Sequence, residues 1–165
     1  RNIFMENNNT VGTYFKSLLI IHLALCAGIA IILIVFRFLL KDSNSDTQSD
    51  NKILEIFGIA IGFIGVLASR FIFFFKTKSA LSVGTLKEKL DIFRSVFITQ
   101  MAILEGAAIT NAVLYFITQN DLHFFIALGI LLLMAFRRPT RAIAAMVLFN
   151  TMEDRQKIYD DSIEI

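Results

Sequence analysis

Three apolar blocks, residues 17–40, 53–75 and 92–117, are each long enough to cross a bilayer, which takes about 20 helical residues at about 1.5 Å apiece. A fourth block, residues 122–136, offers only about 22 Å of helix against a hydrocarbon core of about 30 Å. It spans if the helix starts within residues 118–121 and Arg137 and Arg138 snorkel to the surface. The chain is 56% hydrophobic and only 18% charged, whereas soluble domains carry about 25% charged residues. The expected fold is therefore all-α: an integral membrane four-helix bundle with helices near 17–40, 53–75, 92–117 and 119–137, in a single domain over residues 1–165. Short connections predict up-down-up-down packing. The first block is too long for the apolar core of a cleaved signal, and no small-residue cleavage site follows it.

The basic residues set an orientation. Lys76, Lys78, Lys87 and Lys89 lie between blocks two and three, and Arg137, Arg138, Arg141, Arg155 and Lys157 follow block four. The stretches after blocks one and three are poor in lysine and arginine. Positive charge favours the inner face, so both termini are expected in the cytoplasm of a cell (inner) membrane protein. Residues 41–52 are polar, carry acids without the spacing of a calcium loop, and predict a flexible external linker.

Thr85 with Glu88 three residues on has the spacing of a capping box, so the third helix is expected to begin near Leu86. After Pro139, Thr140 is suited to cap a further helix over about 140–157. That helix either lies on the inner surface, with Arg137, Arg138 and Arg141 against anionic lipid headgroups, or continues into the cytoplasm as a bent extension. The acidic end, residues 160–165, is expected to be disordered.

Glu105 sits mid-block with no cation within ten residues. An acid at that depth costs about 2.5–3.5 kcal/mol on insertion scales and normally faces a bundle interior or a cavity. It is expected to be buried and to contact a polar group on the first or second helix. Gln100 and Asn111 share a second face of the same helix, which makes that helix the most buried one expected. Arg70 and His22 are the nearest candidate partners for the acid. His22 and Cys26 are spaced i, i+4, but two ligands without a third make no metal site. No cofactor, metal or nucleic-acid partner is expected, and no catalytic motif is present.

Gly58, Gly62, Gly65 and Ser69 form one small-residue face on the second helix. Such faces let backbones approach closely and drive helix association in lipid. The stripe serves either packing within one chain or contact with a second copy or a partner membrane protein. The segment 103–114, with its acid followed by small residues, resembles the acid-bearing helix of rotary ATPase proteolipid subunits, and the glycine stripe of the second helix and the basic loop before the acid match that hairpin in order and orientation. That resemblance implies an ion-carrying role for Glu105, although the long connecting loop and the lack of a repeated pattern depart from it. Two functions thus compete for this layout. One is a membrane subunit or assembly protein packing through the helix 2 glycine face. The alternative is an oligomeric proton or cation pathway organised around Glu105.

Overall fold

The computed structural model describes residues 10–41, 52–80, 84–149, 152–163 and 165. Six helices follow in order: α1 (Val11–Leu40), α2 (Lys52–Ala80), α3 (Leu86–Thr118), α4 (Asp121–Phe136), α5 (Arg141–Leu148) and α6 (Met152–Gln156). No strand occurs among the described residues. Three helices, α1, α2 and α3, are long and apolar enough to cross a membrane, which supports a membrane protein. At 16 residues α4 is short by itself, and it joins α5 across a 77° bend. Most of the expected external linker, 42–51, lies outside the described residues.

Local chemistry explains the helix ends. The Thr85 hydroxyl accepts from the Glu88 amide at 3.3 Å, and Glu88 reaches back to the Thr85 amide at 3.4 Å, so the expected capping box forms. A second capping box, Thr10 with Thr13, starts α1 six residues before the apolar block. Gln119 ends α3 in the left-handed conformation, and the Asn120 side chain caps α4 by accepting from the Leu122 amide at 2.9 Å. The turn between α3 and α4 is thus two residues long.

Pairwise contacts fix the topology. Tyr14 donates to the Leu90 carbonyl at 2.5 Å, and Arg37 donates to the Tyr115 hydroxyl at 2.9 Å, so α1 and α3 run parallel. Gly58 meets Asn111 while Gly65 meets Ala107, so α2 and α3 are antiparallel. Gly58 meets His123 and Ser69 meets Arg137, so α2 and α4 are parallel. This is the expected up-down-up-down order. In the packed core α3 touches α1, α2, α4 and α5, whereas α1 and α2 do not form a packed pair. The two central helices α3 and α4 are therefore flanked by α1 on one side and α2 on the other. Half of the most apolar stretch of α3 is buried, against 22% for α1 and α2, as its amides led one to expect.

The C-terminal segment departs from expectation twice. The single helix expected over 140–157 is two short ones, α5 and α6, with Phe149 already extended. Residues 160–163, expected to be disordered, are also held in place. The Ile163 carbonyl accepts from the Val11 amide at 3.0 Å, Asp161 pairs with Arg141, and Ile158 is fully buried. Asp160 accepts from both the amide and hydroxyl of Ser162, which holds its carboxyl below the usual range and keeps the tail charged. Apolar burial at Ile158 and these pairings outweigh the polar composition on which disorder was expected.

Candidate functional site

Between α2, α3 and α4 lies a buried polar junction. Asn111, fully enclosed, donates from its amide nitrogen to the Gly58 carbonyl at 3.2 Å and to the Ala107 carbonyl at 3.0 Å. Its amide oxygen lies 3.3 Å from Nδ1 of His123, which is itself 1% exposed. This pairing makes Nδ1 the protonated nitrogen, since the amide oxygen can only accept. The junction exists because α2 presents glycine: a Cβ at Gly58 would stand 2.5 Å from His123 Cε1 and 2.9 Å from Asn111 Oδ1. A Cβ at Gly62 would meet Ile126 at 2.9 Å, and one at Gly65 would meet Ala107 at 2.7 Å. The small-residue face of α2, Ser69 included, is buried inside the chain. The stripe thus serves packing within one chain, the first of the two alternatives its spacing offered. His123 was not singled out in the sequence. Its signal is the stripe His123, Ala127, Ile130 and Met134, the buried face that α4 turns toward the core.

Glu105 is only half-buried, with no hydrogen bond or ion pair among the described residues. The expected enclosed contact with a polar group is not made. Met101, Leu104, Ala108 and Ala112 occupy the fully buried positions of α3 and leave Glu105 at the edge of that face. The acid is near enough to Cys26 on α1 to act on the thiol electrostatically. Neither Arg70 nor His22 pairs with it. His22 is enclosed instead against Phe97, ring centroids 5.8 Å apart, with Nε2 3.9 Å from the Cys26 sulfur and Nδ1 lacking a hydrogen-bond partner. No group of three or more metal-ligating side chains occurs among the described residues.

A cavity of about 230 Å³ opens where α4 bends into α5. Arg70 from α2, Arg137 and Arg138 from the bend and Gln100 from α3 line it with a phenylalanine wall, and no carboxylate does among the described residues. Arg137 turns inward and donates to the Ser69 hydroxyl at 3.3 Å, while its charge and that of Arg70 repel. Arg70 and Arg138 are exposed and have no ion pair among the described residues. Gln100 is 5% exposed and makes no hydrogen bond among the described residues. Three of the residues expected at separate sites, Arg70, Gln100 and Arg137, thus meet here. Arg141 does not join them. It pairs with Asp161, donates to the Tyr159 carbonyl at 3.3 Å and lies over the Phe15 ring.

At the opposite end of the helices, Arg37 donates to the Tyr115 hydroxyl and to Asp121 at 2.6 Å, with its guanidinium 5.5 Å from the centre of the Phe124 ring. Both members of the Arg37–Asp121 pair are more than half exposed, so water screens the ion pair and it contributes little to stability. Beside it an apolar groove of about 750 Å³ runs between α1 and α4. No family model, curated protein or solved structure matches the chain.

Proposed function

We propose that the chain is a four-pass integral membrane protein with both termini on the cytoplasmic side, acting as a non-conducting membrane subunit. The observation that carries this reading is the closed core. Gly58, Gly62 and Gly65 bring α2 against α3 and α4 so tightly that no Cβ would fit, and the polar groups at that junction are hydrogen-bonded to one another. Closely packed helices with satisfied polar groups stabilise a bundle and leave no hydrated path along it. The fourth pass is α4, lengthened by the arginines at its end. The partner would meet the exposed apolar sides of α1 and α2, where Phe38, Ile53 and Phe63 are largely uncovered.

A second reading rests on Glu105, an acid without a hydrogen-bond partner at the edge of α3. An oligomer that brought several copies of this edge together would place carboxylates around a shared path. Flux separates the two. Protein reconstituted in vesicles is expected to pass neither protons nor monovalent cations under a pH gradient or a membrane potential. Flux that disappears in Glu105→Gln would overturn the non-conducting reading in favour of the second.

Orientation has its own test. In a Cys26→Ala background, Lys41→Cys is expected to react with an impermeant thiol reagent on intact cells, and Lys87→Cys only after permeabilisation. Both positions are exposed in the fold, so protection reports the bilayer rather than burial. The reverse labelling pattern would invert the topology.

A further inference from the structure

We infer that the cavity at the α4–α5 bend is a binding site for a single phosphate-bearing anion, held by Arg70, Arg137 and Arg138 with Gln100 at its base. Three arginines from two segments line one small space, and no carboxylate lines it among the described residues. Like charges gathered in this way repel, and Arg70 and Arg137 do so directly. An anion placed between them would relieve that repulsion. Arginine suits phosphate because its planar fork gives two parallel donors to two oxygens. Gln100 is the independent sign of a ligand. The residue is 5% exposed and lines the cavity, and its amide, which makes no hydrogen bond among the described residues, is available to a ligand there. Its two N–H donors suit the ester or non-bridging oxygens of a phosphate.

Size and depth narrow the ligand class. At about 230 Å³ the cavity is smaller than the roughly 300–1,000 Å³ of pockets for drug-sized ligands, so it takes a small head and excludes a nucleotide. It sits where the apolar stretch of α4 stops, with Phe136 86% exposed next to Arg137. In a bilayer that is the level of the phosphates, where basic side chains attract anionic lipid. The same chemistry is offered by a lipid headgroup and by a small water-soluble phosphate ester. The inference rests on the membrane reading only for the lipid source, and the labelling of positions 41 and 87 can fail independently of binding measured in detergent.

The test uses purified full-length chain in a neutral detergent, titrated with short-chain phosphatidylglycerol, short-chain phosphatidylcholine and glycerol 3-phosphate, with native mass spectrometry as the readout. Phosphatidylglycerol is expected to bind at least roughly tenfold more tightly than phosphatidylcholine, and Arg70→Gln to weaken it roughly tenfold or more. Arg70 is exposed and makes no hydrogen bond, so this variant keeps the fold. Gln100→Leu, which removes the amide and keeps the volume, is expected to weaken binding as well, while Lys87→Gln, outside the cavity, should change it less than about twofold. Glycerol 3-phosphate binding as tightly as phosphatidylglycerol assigns the site to a soluble ester; much weaker binding assigns it to lipid. Equal binding of phosphatidylglycerol by wild type and Arg70→Gln, or equal binding of the two lipids by wild type, would overturn the site.

Discussion

Replacing Gly58 by alanine is expected to lower the unfolding midpoint in detergent, while the same change at Gly28 leaves it unchanged or raises it. Alanine is the better helix former by about 1 kcal/mol, so propensity alone favours both substitutions. The surroundings decide the sign. At Gly28 an added methyl group meets nothing within 4 Å. At Gly58 it would stand 2.5 Å from His123 Cε1 and 2.9 Å from Asn111 Oδ1. Overpacking of a close-fitted site costs about 1–3 kcal/mol, and here it also drives the imidazole off its hydrogen bond. The steric and polar losses exceed the propensity gain, for a net destabilisation of about 1–3 kcal/mol. Equal midpoints for the two variants would mean that α2 does not approach α3 and α4 in this way.

Asn111→Leu is expected to destabilise the fold by a similar amount through a different route. The substitution keeps volume and removes both the donor to Gly58 and the acceptor for His123. The carbonyl of Gly58 lies inside α2 and retains its helical hydrogen bond, so its loss is small, near the 0.6 kcal/mol average for side-chain bonds between membrane helices. The larger cost is a His123 N–H left buried without an acceptor, about 1–3 kcal/mol. A double-mutant cycle reads this directly. His123→Leu by itself strands the Asn111 amide oxygen, and the two changes together strand neither. The double variant should therefore lose less than the sum of the single variants, with a coupling of at least about 0.5 kcal/mol. Strict additivity would show that the two side chains do not meet.

The order and relative direction of the four long helices were legible because apolar block length and loop length are local properties, and the Thr85–Glu88 box marked the start of α3 within the sequence itself. Gly58, Gly62 and Gly65 were legible as a close-packing face, but their partner was not. Small residues at helical spacing look the same whether a neighbouring helix belongs to the same chain or to another. His123 escaped notice for a related reason, since its significance lies in standing opposite Gly58, a relation across 65 positions. Glu105 drew attention by its depth, yet depth says nothing about azimuth, and a rotation of α3 toward its alanines leaves the acid at an edge. The arginine cavity was split in the sequence between a helix 2 basic residue, a helix 3 amide and a surface cluster. Only the bend after Phe136 brings them to one place.

Because α1 packs on α3 and α4 rather than on α2, the order of synthesis and the order of docking cannot coincide. The ribosome delivers α1 first, and α2 offers it no packed partner when it follows. The earliest native pair is α2 with α3, joined through Gly65 and Ala107. The leading helix must wait for downstream helices before Tyr14 can find Leu90 and Arg37 can find Tyr115. Another of its anchors, the bond from Val11 to Ile163, forms only after all six helices have been made. Nascent chains halted after α2 would therefore carry α1 as an unattached helix, open to capture by insertion factors and quality-control proteases until translation resumes.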